Sequence, residues 1–185
     1  CEIMMAVKSG RAIRFPELKV RPTGRGGIGV AGIDVDDATD EVVGMVCVNV
    51  EDKTKTVLVV SANGYGKRTF LDDPETGEAN YRITNRGGKG VKTISVTAKT
   101  GSLVGLLAVT EAEDLMITCV SGITIRMPVN QISEQGRATQ GVKLIKVDEG
   151  DEIAAITSLD EQEENDETEL NTPSENGNGT EDGST

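Results

Sequence analysis

Short apolar runs recur along the chain, most of them interleaved with polar residues, and no stretch shows sustained helical periodicity. Residues 2–7 (Glu-Ile-Met-Met-Ala-Val) already read as a strand, and Val91-Lys-Thr-Ile-Ser-Val96 and Val142-Lys-Leu-Ile-Lys-Val147 alternate with a period of two. Such alternation puts one set of side chains on each face of a half-buried strand. The run Val30-Ala-Gly-Ile-Asp-Val35 is also β-prone, and further apolar strands are predicted at Glu41-Val-Val-Gly-Met-Val46, Ser102-Leu-Val-Gly-Leu-Leu107 and Glu152-Ile-Ala-Ala-Ile156. Ser-Gly and Asn-Gly pairs between these runs mark tight hairpins, because glycine reaches φ > 0 without a Cβ clash. The pattern predicts an all-β chain.

The pattern is also threefold. Met5-Ala-Val-Lys-Ser-Gly10-Arg-Ala-Ile-Arg14-Phe aligns with Val59-Val-Ser-Ala-Asn-Gly64-Tyr-Gly-Lys-Arg68-Thr and with Thr118-Cys-Val-Ser-Gly122-Ile-Thr-Ile-Arg126-Met. In each, an arginine stands four residues after the turn glycine. A second element follows: Arg25-Gly-Gly-Ile-Gly29-Val30, Arg86-Gly-Gly-Lys-Gly90-Val91 and Arg137-Ala-Thr-Gln-Gly141-Val142, all Arg-x-x-x-Gly-Val. The two arginines are eleven residues apart in the first and third repeats and eighteen apart in the second, whose surplus falls near the turn-rich stretch Asp72–Gly77. Four short strands per repeat, at a spacing of 51 to 61 residues, suit the blades of a propeller-like fold. Blade repeats are placed at 1–53, 54–114 and 115–159, with a tail at 160–185. A chain that opens at Cys1, already within a strand, reads as a fragment of a longer one.

Charge changes the picture only once it is divided. The whole chain carries a net charge of −12, but residues 151–185 hold twelve acidic and no basic residues, so residues 1–150 balance 19 cations against 19 anions. The tail is rich in Asp, Glu, Asn, Ser, Gly and Thr, has almost nothing to bury, and is expected to be disordered. A neutral body still binds phosphate if its cations share one face, since screening at physiological salt acts over about 8 Å. No run approaches the roughly 18 apolar residues of a membrane span, so no membrane partner is expected and the cytoplasm is the expected location. Three widely spaced cysteines exclude a disulfide framework, and Cys47 and Cys119, within apolar runs, are expected in the core. The chain has no histidine, which removes imidazole bases and His-ligated zinc.

Several motifs imitate chemistry and fail. Gly24-Arg-Gly26-Gly-Ile-Gly29 satisfies G-x-G-x-x-G, but a β-prone run follows it where a dinucleotide site needs a helix. In the stretch around Gly64-Tyr-Gly-Lys67-Arg-Thr, Ser61 replaces the first P-loop glycine and Arg68 the required Ser/Thr. Asp34, Asp36, Asp37 and Asp40 lack the glycine and terminal glutamate of a calcium loop. No catalytic residue and no metal ligand is assigned. What remains is basic and glycine-rich: Arg86-Gly-Gly-Lys-Gly90 sets two cations beside residues without side chains, so that backbone N–H groups can approach a phosphate closely. Two Tyr, two Phe and no Trp are too few for a single-strand stacking platform, so contact with a duplex backbone fits better.

The residues expected to line that duplex are Arg14, Arg25, Lys67, Arg68, Arg126 and Arg137 from the two registers. Gly87, Gly88 and Gly90 join Arg86 and Lys89 from the glycine-rich element, and Lys92 and Lys143 follow from the next strands. The competing readings are that the arginines are surface salt bridges on a protein-interaction propeller, or that the glycines merely turn corners.

Lys8-Ser-Gly-Arg-Ala-Ile-Arg-Phe15, Asn63-Gly-Tyr-Gly-Lys-Arg-Thr69, Gly136-Arg-Ala-Thr-Gln-Gly-Val142 and the acidic tail resemble the C-terminal domain of DNA gyrase A subunits. The likeness covers residues 2 to about 158. It implies a β-pinwheel, a propeller-like disc of four-stranded blades that exchange strands, of which this chain corresponds to the last three blades and tail. It further implies DNA wrapping within an ATP-driven enzyme that introduces negative supercoils. The partners would be the B subunit (A2B2) together with the rest of the A subunit, with ATP and Mg2+ bound elsewhere in the holoenzyme and no cofactor in this part. The family's cleavage tyrosine lies in another domain, so neither Tyr65 nor Tyr81 is assigned that role. Arg86–Gly90 repeats the last five positions of the family's Gln-(Arg/Lys)-Arg-Gly-Gly-(Arg/Lys)-Gly box, while Thr84 and Asn85 depart from it. That departure keeps the corresponding domain of topoisomerase IV as the alternative. The tail carboxylates are expected to compete with DNA for the basic rim.

Overall fold

A computed structural model describes residues 1–35 and 38–160. Eleven strands are present among them: β1 (Glu2–Val7), β2 (Arg11–Pro16), β3 (Val42–Val48), β4 (Thr56–Ser61), β5 (Tyr65–Phe70), β6 (Val91–Lys92), β7 (Leu103–Val109), β8 (Asp114–Cys119), β9 (Thr124–Pro128), β10 (Val142–Lys143) and β11 (Ile153–Leu159). They form antiparallel sheets of order β3-β1-β2-β6, β10-β5-β4-β7 and β11-β8-β9. Each sheet is built on one of the three glycine hairpins, Gly10, Gly64 and Gly122, all at positive φ. The expected disorder of the tail from 161 onward lies outside the described residues.

The fourth strand of a sheet comes from the next repeat. Val91 and Lys92 pair with Ala12 and Arg11 of the first hairpin, and Val142 and Lys143 pair with Gly66 and Tyr65 of the second. These donated strands are only two residues long, shorter than the six-residue alternations of the sequence. Beyond them the chain turns inward, burying Ile94 and Ile145 between sheets. Val30–Val35 forms no strand at all; Ile33 makes an isolated parallel bridge to Gly88. The third sheet has three strands among the described residues, and β9 forms its open edge.

Two apolar layers hold the sheets together. Met4 and Ala6 of β1 meet Val57 and Val59 of β4 in one, and Leu58 and Val60 of β4 meet Leu115 and Ile117 of β8 in the other. The middle strand β4 is therefore buried on both faces, which explains its unbroken Val-Leu-Val-Val run. A third cluster, with Val7, Ile13, Phe15 and Ile33, covers the far side of the first sheet. Cys119 sits in the second layer, whereas Cys47 is exposed on β3, contrary to the expectation for its apolar run.

Donated strands dock so closely that glycine is required. A Cβ at Gly141 (φ +79°) would lie 2.6 Å from the Gly66 carbonyl oxygen, whereas one at Gly122 (φ +89°) would meet nothing within 4 Å. Gly122→Ala is expected to cost about 1 kcal/mol, the backbone strain alone. Gly141→Ala adds displacement of β10 from β5 and is expected to cost roughly 2–4 kcal/mol. Urea midpoints of the two variants measure the difference.

Candidate functional site

The first arginine register points inward. Arg14 on β2 is 3% exposed; it pairs with Glu2 on β1 and with Asp72 at 2.6 Å, and donates to the Tyr81 carbonyl at 2.9 Å. Burial opposes its charge, but the hydrogen bonds and fields of Asp72 and Glu2 outweigh it and raise its pKa; Arg14 in turn holds the Asp72 carboxyl below its usual value. The turn-rich insertion therefore begins with a counter-ion. Arg68 on β5 is equally buried, donating from Nε to the Ile132 carbonyl (2.9 Å) and pairing with Glu111 (3.0 Å) and Glu134 (3.4 Å). Both residues reach from one repeat to the next. Arg126, in the third sheet, is exposed and pairs with Asp114 at 2.7 Å, the counterpart of Glu2.

Arg14 and Arg68 therefore cannot present their charge to a duplex as expected, and neither can Lys67, whose side chain is completely buried. Lys67 is next to Arg68 but on the opposite face of β5, and it donates to the Gly136 carbonyl. In this register each arginine pairs with carboxylates: Arg14 and Arg68 are buried and reach into the next repeat through Asp72 and Glu134, while Arg126 keeps an exposed pair within its own hairpin.

The second register lies at the rim. Arg86 donates from Nε to the Lys19 carbonyl (3.0 Å) and from Nη1 to the Ala31 carbonyl (3.1 Å). Arg137 repeats this geometry one blade on, its Nη1 donating to the Lys92 carbonyl at 3.2 Å. Each guanidinium is stapled to the preceding repeat by neutral carbonyls, so its charge is not cancelled there. Arg25 lies in the exposed segment of the first repeat.

The loops themselves are stitched side by side. The Gly87 N–H donates to the Gly32 carbonyl and the Asp34 N–H to the Gly88 carbonyl; one blade later the Ser95 N–H donates to Thr139. Gly87 and Gly90 take positive φ, which lets the Arg86–Gly90 loop fold flat against Ala31 and β2. Lys89, Lys92 and Lys143 are exposed on or beside these loops. Lys143 stands over the Tyr65 ring at 5.8 Å from its centroid, and Lys99 approaches the same ring at 5.4 Å.

Sequence reasoning missed Lys99 and Arg11. Arg11 faces Lys92 across the exchanged strand, donates to the Lys89 carbonyl (2.9 Å) and lies 3.7 Å from Asp40. The signal was its place just after the hairpin glycine, shared with Tyr65, but it is readable only once the donated strand is known. Of the aspartates set aside as calcium ligands, Asp40 locks the Ser9 turn by accepting from its N–H (2.9 Å) and Oγ (2.6 Å), while Asp36 and Asp37 lie outside the described residues. Among the described residues there is no group of three or more potential metal ligands and no helix long and apolar enough to cross a membrane.

The family model described as DNA gyrase C-terminal domain, beta-propeller, matches residues 2–49, 55–73, 76–110 and 113–160. The DNA gyrase A subunit of Staphylococcus aureus strain MRSA252 is 41% identical over 177 residues, covering 95% of this chain and 19% of that protein; strain NCTC 8325 gives 41% over 180 residues. The chain thus spans about a fifth of the length of these relatives. A solved DNA gyrase A C-terminal domain superposes with a TM-score of 0.70 at 27% identity, over 85% of this chain and 50% of that one. The C-terminal domain of a DNA topoisomerase IV superposes at 0.75 with 18% identity, over 86% and 46%, a likeness of fold. The expected partial pinwheel is the fold seen, with β6 and β10 exchanged into the sheet of the preceding repeat. With its three hairpin sheets matched almost end to end, the chain belongs to the family of DNA gyrase A C-terminal domains.

Proposed function

We propose that this chain is a DNA-holding part of a gyrase A subunit, binding duplex through phosphate contacts along its stitched rim. The observation that carries this reading is the repeated staple: Arg86 and Arg137 anchored on carbonyls of the preceding repeat, in adjacent loops. Cations at fixed spacing along one edge suit a backbone that bends past them, without base recognition. The acids that would cancel such a surface are spent elsewhere, Glu2, Asp72, Glu111 and Glu134 on the inner arginines.

In this reading the segment wraps DNA for a topoisomerase whose cleavage and ATP-driven steps, with Mg2+, belong to the B subunit or to the rest of the A subunit, in an A2B2 assembly in the bacterial cytoplasm. No cofactor is asked of this segment. The test is fluorescence anisotropy with a labelled duplex across 50–200 mM salt. About five phosphate contacts predict a slope of log K against log salt near −4 to −5. A protein-interaction module would give no binding even at the lowest salt, and that outcome would overturn the proposal.

A further inference from the structure

One buried group has no structural necessity. Lys67 occupies the strand position held by Ile13 in the first repeat and Ile125 in the third, each three residues past the hairpin glycine. Its sister residue Ile13 packs under the Arg86–Gly90 loop, its Cδ1 3.6 Å from where a Gly88 Cβ would stand. In the second repeat a completely buried ammonium takes that place under the Gly136–Gly141 loop. Its hydrogen bond goes to the carbonyl of Gly136, the residue immediately before Arg137. An apolar side chain already satisfies the fold at the equivalent site, so the charge calls for another explanation.

The surroundings leave that charge uncompensated. From segment 133–137 the charged neighbour acting on Lys67 is Arg137, of the same sign, while Glu134 pairs with Arg68 on the other face. β4 places Val59 opposite. On the same face of β5, Thr69 donates to the Gln135 carbonyl at 2.7 Å and also reaches Tyr81, whose phenol bonds Thr93 at 2.6 Å. Burial raises that phenol, so it stays neutral throughout the physiological range. Among the described residues no carboxylate pairs with Lys67.

We propose that Lys67 is a positioning residue for the rim loop 136–141, and that a phosphate docking at Arg137 is coupled to proton uptake by its buried amine. The inference rests on the DNA-binding reading above. In the free protein, burial and then the Arg137 field push the Lys67 amine down to about 7. A phosphate beside Arg137 offsets the guanidinium field and favours the ammonium, so the bound state holds the proton to higher pH. The sign follows: affinity is highest below about 7, where free and bound states are both protonated, and falls as pH rises. The fall continues until the bound state also loses its proton. The chain has no histidine, so no imidazole confuses that window.

The experiment is duplex affinity at constant salt from pH 6 to 9, for the unsubstituted chain and for Lys67→Met. A rise of one unit in the bound-state pKa predicts about tenfold weaker binding at the alkaline end. Lys67→Met should bind with a flat profile. Should that variant misfold, 13C NMR of the lysine Cε carbons of the unsubstituted chain reads the same event: one buried resonance titrating near neutrality and moving upward with saturating duplex. Binding that is strong at pH 6.5 but independent of pH, or a Lys67 resonance unmoved by duplex, overturns the inference and leaves the DNA-binding reading standing. Absence of binding at any pH instead defeats that reading.

Discussion

Replacing Arg14 by alanine is expected to cost about 3–5 kcal/mol of folding stability, whereas Arg126→Ala should cost under about 1 kcal/mol. The two arginines hold the same place in their repeats and differ in what surrounds them. Removing the Arg14 guanidinium leaves the buried Glu2 carboxylate and the half-buried Asp72 without their cation, and strips the Tyr81 carbonyl of a donor. The loss is dominated by these orphaned groups, since an ion pair replaced whole by apolar side chains can be nearly neutral. Arg126 keeps its Asp114 pair in solvent, where screening and side-chain entropy offset most of the attraction. Chemical denaturation at neutral pH measures both. For a chain of this length the Arg14 loss corresponds to a drop in Tm on the order of 10 °C.

The same cluster sets an acid limit. The Asp72 carboxyl is depressed by Arg14 in the folded state, so its stabilising contribution is complete above the ordinary carboxylate range. It is lost as pH falls through the depressed value. Arg14→Ala should remove that part of the acid dependence along with the stability.

Much of the fold was legible because it is local. The hairpins at Gly10, Gly64 and Gly122 and the strand runs around them are dictated by short-range turn chemistry and β-branched residues. The strand donations followed only from the family resemblance and not from local pattern, because pairing of Val91 with Ala12 joins segments far apart in sequence. Recurrence alone also could not separate the two arginine registers. Alternation along a strand assigns Lys67 and Arg68 to opposite faces, but β5 lies in a sheet buried on both sides, so neither face was solvent. The loops that carry Arg86 and Arg137 lie at the surface, where glycine and charge together leave little to bury. The opposite failure occurred at Cys47, where an apolar run was read as core although β3 is the outer strand of its sheet.

Changing Lys89, Lys92 and Lys143 together to glutamine is expected to weaken duplex binding by roughly 10²- to 10³-fold near 0.1 M salt and to flatten the salt slope by about three. The three ammonium groups are exposed, and the Arg86 and Arg137 staples are made by other side chains to backbone carbonyls, so the loops should keep their shape. The loss therefore isolates charge from architecture. Each neutralised phosphate contact removes one released counterion, so the three variants taken singly should each lower the slope by about one, irrespective of DNA sequence. A matched triple change on the far side of the first sheet, away from the loops, should leave the slope within error. Should the rim triple variant bind as tightly as the unsubstituted chain across the salt range, the exposed lysines are bystanders. The guanidinium groups and loop N–H donors would then have to carry the duplex, a distribution that Arg86→Lys and Arg137→Lys would test, because lysine keeps the charge but loses the fork that the staple uses.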